Sequence, residues 1–230
     1  MFAGPTLARA SRIASKVDLN GIIILPPVKR GDIPRIVQGS EPGVLVIVDG
    51  YFHLENLSVG HLEIRLALKR RWQVWGLSSM GAIRAAEMHH MGVFGWGAVF
   101  ERYRDDPDFR DDEVALMHEP GPPYREATEP LVHMRGGLAD LVTRDLITKA
   151  DSAAILDQLM GMWFGDRSLG RLCELILERQ PHNVDAVREW LKGFDQFRTK
   201  AHDLLSFLEK RPWQHPPVSA SSISLDDPPR

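Results

Sequence analysis

Hydrophobic residues in the first half of the chain occur as short continuous bursts, separated by stretches with helical spacing. Four bursts predict strands: "MFAG", "GIIILPP", "VLVIVDG" and "QVWGL". Three stretches between them place apolar residues on one face and predict helices: residues 6–17, 57–69 and 78–90. Because the strands are continuously apolar instead of alternating, they indicate a parallel sheet with helices on both faces, an α/β fold.

The carboxyl ends of parallel strands meet at one edge of a sheet, where ligands gather. The sequence therefore predicts that four segments share this edge: those around Thr6, Pro26-Pro27, Asp49-Gly50 and Ser78-Ser79. Any chemistry of the α/β region is expected there.

The pattern changes after residue 118. A proline-rich connection leads into residues 132–210, which have helical spacing and no good strand. We therefore predict an α/β core over 1–118, an all-helical region over 119–210 and a loose tail over 211–230, which holds five prolines and four serines.

Composition narrows the functional classes. The net charge is -3, which argues against nucleic acid as the main partner. The longest aliphatic run, "VLVIV", is too short to span a bilayer, so a soluble cytoplasmic protein is predicted. The single cysteine, Cys173, has helical core spacing, and no histidine spacing resembles a zinc site, so no metal is assigned.

The segment "GLSSMGAIRAAE", residues 76–87, is the strongest candidate for chemistry. Ser78 or Ser79 could cap the following helix, the small-residue turn could bind an anion, or Ser79 could be a nucleophile beside backbone oxyanion donors. Gly81 and the neighbouring alanines form a narrow face for packing on a sheet. The three interpretations stay open at this point.

A serine nucleophile needs a base. His61 lies on the helix after the Asp49 strand, so Asp49 could orient His61, and His53 is a second candidate. Arg84 and Glu87 have the spacing of an i,i+3 ion pair.

The acidic run "DDPDFRDDE" ends in Asp111-Asp112-Glu113, directly before the apolar "VALM". At this edge the three acids could cap a segment, pair with Arg84 or Arg135, or receive a basic partner.

Several of these segments together resemble TfuA-like proteins. They occur in the expected order: "FAGPT" (2–6), "GD" (31–32), "VDG" (48–50), "H-x-E-I" (61–64), "SSMGAIRAAE" (78–87), "DDEVA" (111–115) and, less distinctively, "VHMRGGL" (132–138). The resemblance covers about residues 2–138. The chain departs from the family pattern after the serine helix, where it has "MGVFGWG", and at Leu62, where a lysine is usual.

The resemblance implies a partner of YcaO-type cyclodehydratases, which use ATP and Mg to activate a peptide amide for thioamidation. It further implies sulfur delivery, by hydrolysis of the thiocarboxylate of a ubiquitin-like sulfur carrier, with no cofactor on this chain itself. The peptide substrate would be reached through the complex.

On this hypothesis the catalytic residues are Ser79, His61 and Asp49. The residues expected to contact substrate are Ser78, Gly81, Arg84, Glu87, Arg135 and Thr6. Asp111, Asp112 and Glu113 form the partner interface. In the alternative hypothesis the chain is a non-catalytic subunit that docks on and activates the YcaO enzyme, with Ser79 as a helix cap.

Overall fold

The computed structural model describes residues 1–51 and 57–217, and contacts divide the chain into two compact units. The first unit combines Met1–Phe109 with the chain from Lys200 onward, and the second is Arg110–Thr199. This division differs from the boundaries drawn at 118 and 210, because the last long helix belongs to the first unit. Amphipathic spacing shows that a helix has an apolar face, but it does not show which core covers that face.

The first unit contains a small parallel sheet, as predicted. Its strands are β1 (Val44–Ile47), β2 (Gln73–Leu77) and β3 (Phe94–Trp96), in the order β1-β2-β3. Val46 is paired with Trp75, and Trp75 with Phe94. The short strand β3 has no aliphatic run and was not predicted.

The first two predicted strands form only isolated bridges. Phe2 bridges Leu25 on one side and Ile47 on the other, and Val28 bridges Gly50, all in parallel. Proline has no backbone N–H to donate, so Pro5 and Pro26-Pro27 end these pairings early. The segments still extend the edge of the sheet beyond β1.

Helices surround the sheet of the first unit. They are α1 (Pro5–Ile13), α2 (Asp32–Gly39), α3 (His61–Lys69), α4 (Met80–Met88), α5 (Ala98–Asp105) and α10 (Thr199–Lys210), the last of which begins at the unit boundary. Helix α10 packs on the sheet through Phe207, whose ring centroid lies 5.5 Å from that of Trp75. This return of the chain closes the core of the unit.

Helix α4 lies against the strand ends because two glycines leave room for it. A Cβ on Gly81 would stand 1.8 Å from the carbonyl oxygen of Ile47, and one on Gly76 would stand 2.0 Å from that of Gly81. The backbone N–H of Gly81 donates to the Val48 carbonyl at 3.2 Å. The start of α4 is thus fixed on the carboxyl ends of β1 and β2.

The second unit is helical, as predicted for this part of the chain. Its helices are α6 (Leu131–Thr143), α7 (Lys149–Gly161), α8 (Leu169–Arg179) and α9 (Val184–Lys192). One apolar cluster joins them, with buried residues that include Leu138, Ile155, Leu172 and Trp190.

Part of the predicted tail is outside the described residues, namely 218–230. Within its described part, Trp213 packs on Phe207 at 4.8 Å between ring centroids, and Arg211 pairs with Asp18. In the described part of the chain, none of the helices combines the length and the apolar character needed to cross a membrane.

Candidate functional site

The side chain of Asp49 joins two of the segments that were expected to share one edge of the sheet, and its carbonyl accepts from the N–H of Val28 in a third at 2.9 Å. One carboxylate oxygen accepts from the backbone N–H groups of Gly4 and Thr6 at 2.8 and 3.0 Å, and the other accepts from the Thr6 hydroxyl at 2.6 Å. Asp49 and Thr6 are both buried. Since these bonds satisfy the first turn of α1, Asp49 stabilises the edge of the sheet by capping that helix.

Ser79 occupies the N-cap position of α4, yet its side chain makes no capping hydrogen bond. The residue is 3% exposed, and within residues 1–51 and 57–217 its hydroxyl has no hydrogen-bond partner. Two backbone N–H groups of the turn are engaged elsewhere, Ser79 with Leu77 and Gly81 with Val48. The hydroxyl of Ser79 is therefore not committed to another hydrogen bond in the described residues, whereas these two backbone donors are not available to an oxyanion.

Ser78 adopts the strained conformation of this turn. Its φ of 64° lies in the left-handed region, which is uncommon for a residue other than glycine. It is fully buried, and its hydroxyl donates to the Lys200 carbonyl at 2.8 Å. Gly76-Leu77-Ser78 supplies the first half of a G-x-S-x-G motif, so the sequence did contain a signal for a sharp turn centred on Ser78.

His61, Arg84 and Glu87 form one polar cluster between α3 and α4. The Nε2 atom of His61 and the Nη1 atom of Arg84 each lie 2.7 Å from the same Oε2 atom of Glu87. Arg84 also donates to the Val59 carbonyl and to the Ser58 hydroxyl, at 3.0 and 3.3 Å. The predicted i,i+3 pair of Arg84 and Glu87 is present, and it fixes the segment that precedes α3.

The structure does not assemble the predicted relay from Asp49 through His61 to Ser79. Asp49 binds the start of α1, and His61 binds Glu87, two turns into α4. Met80 and Glu87 are about 10 Å apart along the helix axis, at 1.5 Å per residue. His61 is thus held away from Ser79, while the other histidine proposed as a base, His53, lies outside the described residues.

Two of the three acids assigned to a partner interface are engaged within the second unit. Glu113 is 1% exposed and makes a bidentate ion pair with Arg135, at 2.6 to 3.0 Å. Asp112 pairs at 2.6 Å with Arg167, which is fully buried. Burying a carboxylate requires such a partner, so Glu113 makes the pair with Arg135 that the sequence had left open as one alternative. The assignment of these acids to a partner interface stays a prediction. Asp111 is exposed.

A buried cluster in the second unit was not recognised from the sequence. Glu129 accepts from the ring of His133 at 2.6 Å and from Arg198 at 2.9 Å, and all three side chains are buried. Burial raises the pKa of Glu129, but the hydrogen bond from His133 and the nearby positive charges outweigh it and lower this pKa to about 2. The i,i+4 spacing of Glu129 and His133 was the available signal.

Neither metal nor thiol chemistry finds support in the described residues. Across residues 1–51 and 57–217, His, Cys, Asp and Glu side chains form no group of three or more that could hold a metal ion. Burial, with a smaller effect from Glu174, raises the pKa of the Cys173 thiol to about 11, which disfavours the thiolate needed for nucleophilic attack.

Comparison with known proteins identifies the family. A family model described as TfuA-like protein matches residues 49–168, slightly more than half of the chain. The matched segment begins just after β1 and contains the Ser79 turn and the acidic segment. No curated protein matches the chain. The chain belongs to the TfuA-like family, and this membership implies a YcaO-type partner and a general role in the thioamidation system.

Proposed function

We propose that this protein is the sulfur-delivery subunit of peptide thioamidation, and that Ser79 is the nucleophile that releases sulfide from a thiocarboxylated, ubiquitin-like sulfur carrier. It works in the cytoplasm beside a YcaO-type enzyme that binds the peptide, ATP and Mg. It needs no cofactor of its own.

One observation carries the proposal: Ser79 stands at a helix N-cap without capping. Serine is favoured at this position because its oxygen accepts a hydrogen bond from the first turn. Ser79 makes no such bond, and among the described residues its hydroxyl has no other partner. A hydroxyl held on a rigid strand-to-helix turn and left without a partner is available to attack an electrophile.

The proposed chemistry is acyl transfer in two steps. In the first, Ser79 Oγ forms a bond to the thiocarboxylate carbon, the C–S bond breaks, and the hydroxyl proton leaves with the sulfur as hydrosulfide. In the second, water cleaves the resulting ester, which restores Ser79 and releases the carrier with a carboxylate terminus. The YcaO enzyme consumes the sulfide. No net oxidation or reduction occurs.

The direct test is sulfide release from the thiocarboxylated carrier by the unaltered protein and by Ser79→Ala. Loss of an attacking nucleophile lowers kcat by about 10³-fold or more, so release by Ser79→Ala should fall to background. Thermal unfolding of the variant should change little, because no hydrogen bond of the described structure is removed. Equal release by both proteins would contradict the proposal.

Ser78→Ala is the matched control, since it removes the neighbouring hydroxyl. That hydroxyl donates to Lys200, so this variant should lose about 1 kcal/mol of stability while sulfide release per folded molecule is retained. If Ser78→Ala lost release and Ser79→Ala kept it, the nucleophile would be Ser78 instead.

A second candidate, a non-catalytic subunit that docks on the YcaO enzyme, is favoured by the position of His61. Its ring is bound to Glu87 instead of being directed at Ser79. In that case Ser79→Ala would leave thioamidation by the assembled complex unchanged, and neither protein would release sulfide, with or without the YcaO partner.

A further inference from the structure

A basic cleft lies at the end of the sheet opposite to Ser79. Its volume is about 670 Å³. One wall is the end of α2 with the turn that follows it (residues 37–42), and the other is the last residue of α3 with the three residues after it (residues 69–72). The cleft is close to the start of β1 and β2, where Val44 is paired with Gln73. All of these residues belong to the first unit.

The α3 wall of the basic cleft consists of four consecutive hydrogen-bond donors. Lys69, Arg70 and Arg71 are exposed, and in the described part of the chain none of the three pairs with a carboxylate. The indole Nε1 of Trp72 is buried and finds no acceptor among the described residues. The lining includes one acid, Glu41. The three exposed cations are complementary to carboxylates.

The backbone conformation at the end of α3 is unfavourable for Arg71. Helix α3 ends in a Schellman motif, in which Trp72 N–H donates to the Ala67 carbonyl at 3.0 Å and Arg71 N–H to the Leu68 carbonyl at 2.9 Å. Arg71 therefore has a φ of 63°, at a position where glycine is the usual residue. The chain places a guanidinium where glycine would avoid the strain.

Local electrostatics explain the presence of only two of the three cations Lys69, Arg70 and Arg71. Cations near the end of a helix interact favourably with its dipole, and Arg70 donates to the Val37 carbonyl at 3.4 Å. This accounts for Lys69 and Arg70. It does not account for Arg71, because glycine at that position would complete the same motif without strain.

We infer that the basic cleft docks an acidic segment of the YcaO-type partner. The inference rests on the family's partnership and not on hydrolysis at Ser79. A protein segment fits better than nucleic acid, because the chain as a whole has a net charge of -3 and the run Lys69-Arg70-Arg71 lines a single cleft. The cleft also lies at the other end of the sheet from Ser79, so a partner segment bound there does not cover the serine turn.

The test compares Arg71→Gly with the unaltered protein in binding to the purified YcaO-type partner. Glycine tolerates the left-handed conformation, so this variant should unfold at the same temperature or higher. Its affinity for the partner should nevertheless fall about fivefold, the effect of one exposed charge. Titration calorimetry and thermal unfolding measure the two quantities separately.

The double reversal Lys69→Glu/Arg71→Glu should weaken the complex by about tenfold or more, with a smaller dependence on salt than the unaltered complex shows. Arg188→Glu, a reversal at an exposed arginine of α9, is the single-site control for a charge reversal outside the cleft and should bind normally. Unchanged affinity of both basic-cleft variants would overturn the inference. So would unchanged partner affinity together with lost binding of single-stranded RNA, which would assign the cleft to nucleic acid.

Failure of this inference is distinguishable from failure of the proposed function. Sulfide release by the isolated protein should be equal in Arg71→Gly and the unaltered protein, since the cleft is remote from Ser79. If no protein released sulfide but the cleft variants still weakened the complex, the docking surface would stand and the hydrolysis would not.

Discussion

The candidate functional side chains of the two units lie in different surroundings. In the second unit, the carboxylates of Glu113 and Glu129 are buried, and each is held by positively charged partners. In the first unit, the hydroxyl of Ser79 is left without a partner among the described residues, and the His61–Glu87 pair is 53% and 38% exposed. Segments that the family resemblance grouped together therefore have different physical tasks.

This difference separates side chains that stabilise the fold from a side chain that is proposed to react. A buried charge is tolerated in a fold only when its partner is present. Substitution of an acid such as Glu113 should therefore change the stability of the second unit. A free hydroxyl on a tight turn contributes little to stability, so Ser79 is retained at low cost and is available for reaction. Substitutions in the two regions should accordingly affect different measurements.

The largest effect on stability is expected in the second unit. Glu113→Gln leaves Arg135 without its bidentate carboxylate, and breaking a buried ion pair by removing one partner costs about 3 kcal/mol or more. Urea unfolding measures this loss. Asp157→Asn, an exposed acid on α7, is the control and should stay within about 0.5 kcal/mol of the unaltered protein. Equal stability of the two variants would remove the contrast between the units.

Acid pH should weaken the second unit through Glu129. Its pKa is about 2 in the folded protein and about 4.5 in the unfolded chain, so the folded state binds fewer protons between these values. Its contribution to stability is therefore present above pH 4.5 and is lost as the pH falls toward 2. Unfolding by urea from pH 5.5 to pH 3 should show this loss, of the order of 2 kcal/mol, and Glu129→Gln should remove that part of the pH dependence.

Asp203 in the first unit should give the opposite sign. Its carboxylate accepts from the N–H groups of Ala98 and Val99 at the start of α5, but burial outweighs these bonds and raises its pKa to about 6. The folded state thus binds more protons than the unfolded chain, so this contribution is present below pH 4 and is lost as the pH rises through 6. The stability of Asp203→Asn should change less between pH 4 and 7 than that of the unaltered protein. A steeper fall in the variant would contradict the assignment.

The smallest effect is expected at His61. Its bond to Glu87 is exposed to solvent, so His61→Ala should cost less than about 1 kcal/mol of stability. Because His61 is held about two turns along α4 from Ser79, sulfide release should stay within about threefold of the unaltered rate. A loss as large as that of Ser79→Ala would show that His61 reaches the serine during turnover.

The sequence was sufficient to predict those elements of the fold that the local pattern of apolar and small residues determines. The continuous aliphatic run at 44–48 and the shorter apolar segment at 73–77 predicted β1 and β2, and Gly81 with its small neighbours predicted the close approach of α4. Strand β3 was missed because "FGW" has too few apolar residues to distinguish it from a loop. The place of α10 was missed because its partner, Trp75, is distant in sequence.

In the candidate site too, local features could be predicted from the sequence and contacts between distant residues could not. Ser79 could be singled out from the strand-to-helix junction alone, and the Arg84–Glu87 pair from helical spacing. The partners of Asp49 could not, since Gly4 and Thr6 are more than 40 residues away and meet it only through the sheet. The burial of Glu113 was equally hidden, because an acid before an apolar run is compatible with both a surface and a buried ion pair.

The most direct test of the central claim is detection of the ester on Ser79. Unaltered protein would be mixed with excess thiocarboxylated carrier, quenched in acid within milliseconds and examined by intact-mass and peptide mass spectrometry. The account predicts a transient adduct with the mass of protein plus carrier minus H₂S, located on Ser79 and absent from Ser79→Ala. Sulfide release at the same rate from both proteins, with no ester at Ser79, would contradict it.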